Sequence, residues 1–301
     1  MNRSKIYIDG QYGTTGLEIF DRLKQRDDIE LLIIPEHKRH DHFIRQECMA
    51  QADLIFLCLP DSASIEAMNW IPDNTKVIDA STAHRTKEGW DYGFPELSPP
   101  HKEAIASSYR VANPGCHATG FISVVYPLVQ KGIVSSSSLI RCTSLTGYSG
   151  GGKKMIEEYQ THKTELLQAP RLYGLSLEHK HLKEMKQICH LNREPLFVPI
   201  VNDYYRGMLT SVMLEGNARE IYSFYQSFYP QDTVRVLFQD EGYLSANSMK
   251  DKDTLEIVVS GNDRQVLVSA VFDNLGKGAC GAAIQNMNLM LGIQETKGLR
   301  L

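Results

Sequence analysis

The 301-residue chain has no long apolar segment, no paired cysteines and no excess of charge of one sign. Its longest apolar runs, such as residues 54–59, are strand-sized and fall short of the ~18 residues that a membrane span requires. Lysine and arginine number 32 against 36 aspartate and glutamate residues, so the net charge is −4. This balance provides no electrostatic basis for binding nucleic acid or an anionic membrane, and we expect neither as a partner.

Cysteines are few and scattered, six in all, and none forms a CxxC pair. The first residues lead directly into a strand pattern, without the apolar core of a signal peptide. A chain of this length does not need disulfide bonds for stability, so we expect a reducing, cytoplasmic compartment. The apolar content of 42% and the charged content of 23% are ordinary for a soluble globular protein.

The first third of the chain alternates short apolar strands with helical segments. Continuous apolar runs at residues 5–9, 31–34, 53–59 and 76–79, with a fifth near 109–111, predict parallel strands that are buried on both faces. The alternation of strands and helices predicts a Rossmann-like, doubly wound α/β domain.

Beyond about residue 117 the strands lengthen and fewer helices separate them. Strands are predicted at residues 139–145, 196–201, 209–214, 233–238, 255–260 and 265–272, and a helix at 278–291. This pattern predicts an α+β domain with a mostly antiparallel sheet.

A glycine-punctuated turn follows the first strand and opens the first helix. It contains Gly10, Gly13, Thr14, Thr15 and Gly16. Glycines let the backbone approach a pyrophosphate, and the helix N-terminus adds free N–H groups and partial positive charge. The spacing GxxGxxG is a weak pattern by itself, but an ordinary strand-to-helix turn needs only one or two glycines. The position of the turn therefore favours a dinucleotide site.

Residues after the second strand bear on the choice between NAD and NADP. Glu36 suits the ribose hydroxyls of NAD, whereas Lys38 and Arg39 suit the 2′-phosphate of NADP. A solvated loop is the alternative explanation of the basic pair. We predict NADP(H), with Lys38 and Arg39 as its ligands.

Cys116 has the sequence context of a reactive thiol. Pro114 and Gly115 predict a turn, and the apolar run from Phe121 predicts a helix, so that Cys116 lies at or just before a helix N-terminus. There the helix dipole and the unpaired N–H groups favour a thiolate and can hold an oxyanion. The cysteines at positions 58, 142 and 189 are expected to be small buried hydrophobes.

Eight motifs spread over nearly the whole chain carry a resemblance to a known enzyme family. They are residues 8–17 (IDGQYGTTGL), 57–61 (LCLPD), 77–85 (VIDASTAHR), 92–96 (YGFPE), 113–116 (NPGC), 147–150 (GYSG), 177–181 (LEHKH) and 271–278 (VFDNLGKG). With these motifs the chain resembles the N-acetyl-gamma-glutamyl-phosphate reductases of arginine biosynthesis, specifically their shorter subtype. The family usually follows the cysteine with Tyr-Pro-Thr-Gly, whereas this chain has His117 and Ala118 there.

The resemblance implies an NADPH-dependent reduction of N-acetyl-L-glutamyl 5-phosphate to the semialdehyde, through a thioester on Cys116. It implies a homo-oligomer (dimer or tetramer) and nucleotide contacts from Pro60 and Asn274. With it we expect an NADP-binding domain of residues 1–116 and 274–301, and a catalytic and oligomerisation domain of residues 117–273. Two rivals stay open. One is another acyl-phosphate reductase, acting on aspartyl or aminoadipyl phosphate. The other is a non-catalytic nucleotide-binding redox sensor with Cys116 as the switch.

The reaction also needs an acid/base, and His179 and His181 are the candidates. A metal site is not expected, because HxH supplies only two ligands. If the segment is helical, residues two apart point to different faces, so only one histidine is expected to face Cys116. The resemblance implies that this is His179, leaving His181 and Glu184 to orient the substrate or the imidazole.

The phosphate or carboxylate of the substrate requires a cationic or amide contact. Arg85, which follows Ser81 after the fourth strand, is the first candidate, since a guanidinium binds such anions bidentately. The second candidate is the glycine-rich segment that begins with Ser149 and Gly150 and continues into two lysines. A surface arginine and a flexible loop are the alternative explanations.

Overall fold

The computed structural model describes residues 3–230 and 232–301. Its strands are β1 Ser4–Asp9, β2 Ile29–Leu32, β3 Leu54–Leu57, β4 Lys76–Asp79, β5 Asp91–Tyr92, β6 Arg110–Ala112, β7 Arg141–Gly147, β8 Arg171–Leu172, β9 Leu196–Asn202, β10 Met208–Glu215, β11 Val234–Phe238, β12 Leu255–Gly261 and β13 Gln265–Phe272. Its α-helices are α1 Thr14–Leu23, α2 His42–Gln51, α3 Asp61–Ala67, α4 Pro99–Ser107, α5 Cys116–Gln130, α6 Gly152–Thr161, α7 Leu182–Ile188, α8 Ala218–Phe228 and α9 Gly281–Met290. Within the described ranges, no helix combines the length and the apolar character that crossing a membrane demands.

The chain divides into two compact units. Unit 1 takes the described residues up to Pro114 together with Ala282–Leu299, and unit 2 takes Gly115–Gly281 with Arg300–Leu301.

Unit 1 contains a six-stranded sheet in the order β2-β1-β3-β4-β6-β5. Every pair in it is parallel, and β3 is buried along its whole length. The predicted Rossmann-like sheet is confirmed. The order reverses between β1 and β3, which is where such sheets bind ligands at the carboxyl ends of their strands.

The second strand begins and ends two residues earlier than predicted. Ile29–Leu32 pair with Ser4–Tyr7 of β1, whereas Ile33 is exposed. Pro35 follows closely, and a proline disfavours a continued strand because it has no backbone N–H to donate.

Unit 2 contains a seven-stranded sheet in the order β11-β12-β13-β10-β7-β9-β8. The pairs β11–β12 and β7–β9 are parallel, and the other four are antiparallel. The prediction of a mostly antiparallel sheet is therefore confirmed. Helix α5 packs on β10 and β13, and α8 packs on β11, β12 and β13.

Helix α5 is the buried helix of unit 2. Residues 117–128 are all buried, including the polar His117, Thr119 and Ser123. A helix that is apolar almost all round is expected to lie inside a core. Its first residue, Cys116, is half-buried, so the fold brings one thiol to the edge of this core.

Candidate active site

Cys116 is the first residue of α5, as the sequence predicts. The N-cap residue Gly115 has no side chain to bond the first-turn N–H groups. Its own N–H donates to Glu184 Oε1 at 2.9 Å, which fixes the turn before the helix. A Cβ added to Gly278 would lie 3.1 Å from Cys116 Cβ, so a side chain at this position would press on the residue that carries the thiol.

Other thiols in the chain are held in their protonated form. Burial raises the pKa of the Cys58, Cys142 and Cys189 thiols. Burial together with the charge of Glu47 raises the pKa of Cys48. These four are poor nucleophiles at neutral pH.

His117, which follows the cysteine, is a buried and neutral imidazole. Its Nδ1 lies 2.7 Å from Ser144 Oγ and its Nε2 lies 2.6 Å from the Tyr173 hydroxyl. Ser144 Oγ lies in turn 2.7 Å from Thr210 Oγ1. Burial, helped by His179, lowers the pKa of His117 to about 3.

Both histidines of the HxH segment pack against His117. The ring centroids of His179 and His181 lie 5.6 Å and 5.9 Å from that of His117, and 4.8 Å from each other. The helical assumption behind a single inward histidine is wrong for this segment. His179 precedes α7 and His181 is its N-cap residue, so a turn lets both rings point to one side.

His179 has a defined hydrogen-bonding state. The backbone N–H of His181 donates to His179 Nδ1 at 3.2 Å. Burial, with the charge of Lys180, lowers the pKa of His179 to about 4. The imidazole is therefore neutral near pH 7, and since Nδ1 accepts, its proton is on Nε2.

Arg85 and Ser81 lie in unit 1, after β4. The Arg85 guanidinium is buried and donates to Asn113 O at 3.0 Å and to Ala80 O at 2.9 Å. The Ser81 hydroxyl donates to Asp79 Oδ2 at 2.7 Å. Both predicted anion ligands thus also hold the backbone at the carboxyl edge of the sheet.

Ser149 and Asn274, predicted for different ligands, contact each other in unit 2. Asn274 Nδ2 donates to Ser149 Oγ at 2.9 Å, and Asn274 Oδ1 accepts the Gly207 N–H at 2.8 Å. Both side chains are buried, whereas Gly150 is exposed. The amide of Asn274 therefore fixes the start of the glycine-rich segment.

The glycine turn of unit 1 has the backbone geometry of a phosphate-binding loop. Gly10 has a φ of +87°, and a Cβ there would lie 2.3 Å from Cys58 O. A Cβ on Gly16 would lie 2.3 Å from Gly10 O. Gly13 is the N-cap residue of α1 and has no side chain that could bond the N–H groups of the first helical turn. The turn fits a dinucleotide pyrophosphate, because Thr14 and Thr15 begin a helix whose first turn has no side-chain cap.

The basic pair after β2 lies close to this turn. The Arg39 guanidinium lies 5.9 Å from the ring centroid of Tyr12, a residue of the turn. Arg39 Nη1 also pairs with Glu36 Oε1 at 2.7 Å, and Lys38 is exposed. Pro60, at the end of the neighbouring strand, is the N-cap residue of α3.

Tyr173 was not among the residues that sequence reasoning singled out. It lies just after the two-residue strand β8 and six positions before His179. No periodicity or motif marks it. Its hydrogen bond to His117 Nε2 and its ring contact with His179, at 5.9 Å between centroids, reveal its connection with the site.

Comparisons with known proteins agree with this arrangement. Residues 35–106 match the semialdehyde dehydrogenase NAD binding domain, and residues 116–274 match the semialdehyde dehydrogenase dimerisation domain. Two solved structures are similar over almost the whole chain. Aspartate semialdehyde dehydrogenase II of Vibrio cholerae has a TM-score of 0.71 at 15% identity, covering 97% of this chain and 99% of that one. Aspartate semialdehyde dehydrogenase of Francisella tularensis has a TM-score of 0.72 at 12% identity, covering 96% and 100%. Fold and site together define a protein of the semialdehyde dehydrogenase class.

Curated relatives narrow this class. N-acetyl-gamma-glutamyl-phosphate reductase 2 of Nostoc sp. is 42% identical over 99% of this chain and 100% of its own length. N-acetyl-gamma-glutamyl-phosphate reductase of Brucella anthropi is 41% identical over 96% and 99%. The chain belongs to the N-acetyl-gamma-glutamyl-phosphate reductase family.

Proposed function

We propose that the chain catalyses the NADPH-dependent reduction of N-acetyl-L-glutamyl 5-phosphate to N-acetyl-L-glutamate 5-semialdehyde and phosphate, a step of arginine biosynthesis. The observation that carries this proposal is the half-buried Cys116 thiol at the start of α5, followed directly by the neutral His117, against which the neutral His179 packs. A relative named N-acetyl-gamma-glutamyl-phosphate reductase 2 matches 99% of this chain. An acyl phosphate is a substrate class that can acylate such a thiol without further activation.

The first step is attack of the Cys116 thiolate on the acyl carbon. The C–S bond forms, the C–O bond to phosphate breaks with its electron pair, and a thioester remains on Cys116. The N–H groups of the first turn of α5, which the N-cap residue does not bond through a side chain, are available to stabilise the oxygen of the tetrahedral adduct. The raised pKa values of four of the other five thiols support Cys116 as the nucleophile.

NADPH, when bound, supplies the hydride that reduces the thioester. His179 then donates a hydrogen bond from its Nε2–H to the oxygen that gains negative charge, while Nδ1 stays bonded to the His181 N–H. Breaking of the C–S bond returns an electron pair to sulfur, and the oxyanion becomes the carbonyl of the released aldehyde. We assign the acid/base position to His179, whose neutral ring serves as this donor, and we assign His181 and Glu184 as the groups that hold it and the nucleophile in place.

The nucleotide is proposed to bind unit 1 at the glycine turn. The residues that hold its pyrophosphate are Gly10, Gly13, Thr14, Thr15 and Gly16, supported by the crowded glycine positions and the uncapped start of α1. The 2′-phosphate is assigned to Lys38 and Arg39, supported by the approach of Arg39 to Tyr12. Pro60 and Asn274 are assigned to the nicotinamide side. Residues 1–116 and 274–301 would form the NADP-binding domain.

Substrate contacts are proposed for two groups of residues. Arg85 and Ser81, after β4, are assigned to an anionic group of the substrate, since a buried guanidinium at a sheet's carboxyl edge suits phosphate or carboxylate. Ser149 and Gly150 are assigned to the other anionic end, supported by the uncapped N-terminus of α6 that follows them.

Assembly and compartment are also part of the proposal. The match to a dimerisation domain supports a homo-oligomer, either a dimer or a tetramer. All six cysteines are free thiols, which supports a reducing compartment such as the cytoplasm.

The experiment is a comparison of aldehydes in the reverse direction. Phosphate-dependent reduction of NADP⁺ is measured with N-acetylglutamate semialdehyde, aspartate semialdehyde and carrier-bound aminoadipate semialdehyde. The proposal predicts the highest kcat/KM for the acetylglutamyl compound. A higher value for either of the others would reassign the substrate. No turnover with any of them, together with reversible oxidation of Cys116, would favour a redox sensor.

A further inference from the structure

A chain of hydrogen-bonded side chains runs inward from Tyr173 to Thr210. His117 forms its centre, 2.6 Å from the Tyr173 hydroxyl and 2.7 Å from Ser144 Oγ. Ser144 and Thr210 lie directly opposite each other on β7 and β10, with their hydroxyl oxygens 2.7 Å apart. The strand register therefore fixes the inner end, and helix α5 fixes the imidazole.

Each of these four side chains, Tyr173, His117, Ser144 and Thr210, is neutral at physiological pH. Burial holds the pKa of His117 at about 3, so its ring has one proton. Burial raises the pKa of the Tyr173 phenol, and a negative charge on Cys116 raises it further. The phenol therefore keeps its proton. Its hydroxyl lies 2.6 Å from the ring of His117, the residue that directly follows Cys116 at the start of α5, and this contact brings the phenol into the neighbourhood of the nucleophile.

A neutral imidazole donates through one nitrogen and accepts through the other. The hydrogen bonds among these four side chains can therefore be arranged in only two ways. In the first, the phenol donates to Nε2 of His117, and its proton is used there. In the second, Nε2 donates to the phenol oxygen, Nδ1 accepts from Ser144, and Ser144 accepts from Thr210. Only the second leaves the phenolic proton for another acceptor. Negative charge at Cys116 favours this second arrangement.

We propose that the Tyr173 hydroxyl donates a hydrogen bond to negative charge at Cys116, first on the sulfur and then on the oxygen of the bound acyl group. His117 is the positioning residue that directs this proton by donating to the phenol oxygen. The acyl-oxygen part rests on the proposed function, whereas the sulfur part needs no substrate. In this chain the imidazole after the nucleophile takes the place of the aromatic residue usual in the family.

Other ionisable groups lie near Tyr173 and Cys116, and their charges have to stay unchanged in any test. They are His179, His181, Lys180, Glu184 and the buried Lys277 next to Gly278. A Tyr173→Phe substitution removes one hydroxyl and leaves all of these charges unchanged. A change in thiol reactivity then reports on the hydroxyl itself.

The test measures alkylation of Cys116 by iodoacetamide as a function of pH, on the intact chain without substrate, with the labelled peptide identified by mass spectrometry. Loss of one hydrogen bond to a charged group is expected to raise the pH midpoint of alkylation by about one unit in Tyr173→Phe. The rate at pH 7 falls accordingly, by up to about 10-fold. The matched control is Tyr225→Phe, a buried phenol that donates to Val124 O at 2.6 Å, and its midpoint should equal that of wild type.

His117→Phe removes both ring nitrogens and is expected to shift the midpoint in the same direction. In the Tyr173→Phe background it should add no further shift, because His117 acts through the phenol. His117→Gln, which keeps a donor and an acceptor, should recover part of the loss. An unchanged midpoint in Tyr173→Phe overturns the proposal, even if His117→Phe fails to fold. A His117→Phe shift that persists undiminished without the phenol overturns the positioning role. Since alkylation needs no substrate, failure of the proposed reaction is read separately, from the aldehyde assay.

Discussion

Removing the donor of His179 is the perturbation whose outcome follows most directly from the site. His179 Nδ1 accepts the His181 N–H, so the neutral ring carries its proton on Nε2, and in the proposed reaction this Nε2–H faces the substrate. Its role is then that of a donor to the charged oxygen. Loss of one such donor costs about 10²–10³ in kcat, or about 2.7–4 kcal/mol of transition-state stabilisation. His179→Ala should therefore lower kcat by this factor.

A matched variant separates donation from base catalysis. His179→Gln keeps an N–H near the position of Nε2, so it should retain clearly more activity than His179→Ala. The KM for NADP⁺ should stay unchanged in both, because the proposed nucleotide residues are other ones. The kcat and KM values of wild type, His179→Ala and His179→Gln are measured by steady-state kinetics in the phosphate-dependent direction. Equal inactivity of the Gln and Ala variants would refute the donor role, and near-wild-type kcat in His179→Ala would refute any role.

The pH dependence follows from the same residue. Burial lowers the pKa of His179 from 6.5 to about 4, so the ring is already neutral well below pH 6.5. As the pH falls, imidazolium forms only near pH 4. Any inflection of the wild-type rate profile near pH 6.5 should therefore persist in His179→Gln. An inflection near pH 6.5 that disappears in His179→Gln would contradict the lowered pKa.

Four further substitutions test separate parts of the site. Lys38→Ala and Arg39→Ala should each raise the KM for NADPH by roughly 10-fold, through loss of a charge-assisted contact with phosphate. Glu184→Ala should lower the free energy of unfolding by about 1–3 kcal/mol, because the buried Gly115 N–H loses its acceptor. Gly278→Ala should slow alkylation of the nucleophilic thiol, since the new Cβ lies 3.1 Å from the cysteine Cβ.

Each of these has an internal control. The KM for NADH, which has no 2′-phosphate, should not change in the Lys38 and Arg39 variants, and an equal rise for both nucleotides would contradict the assignment. Glu184→Gln keeps a carbonyl acceptor and should melt closer to wild type than Glu184→Ala. An unchanged alkylation rate in Gly278→Ala would show that the nucleophile does not depend on this close approach.

Local sequence patterns predicted the elements that depend on neighbouring residues. Cys116 was placed at a helix start because a Pro-Gly turn precedes an apolar run, and α5 begins there. The glycine turn was found for the same reason. Helix α8 also had a local signal that was not used. Asn217 caps it by accepting from two N–H groups, and Ile221 and Tyr225 repeat at helical spacing on its buried side.

Contacts between distant segments could not be predicted in this way. The bond between Ser144 and Thr210 depends on the register of β7 against β10, which no single segment encodes. Tyr173 reaches His117 across 56 positions of sequence. Helical spacing would separate the two rings of the HxH segment, but the segment is a turn before α7, so both rings lie on one side. Roles that depend on such contacts become visible only when the strands are paired.

The central claim is that Cys116 carries the acyl group. The most direct measurement is the intact mass of the chain after it is mixed with N-acetyl-L-glutamyl 5-phosphate in the absence of NADPH, followed by peptide mapping. The account predicts one N-acetylglutamyl adduct on the peptide that contains Cys116, and neither adduct nor turnover in Cys116→Ala. Turnover by Cys116→Ala, or an adduct on a different cysteine, would contradict it.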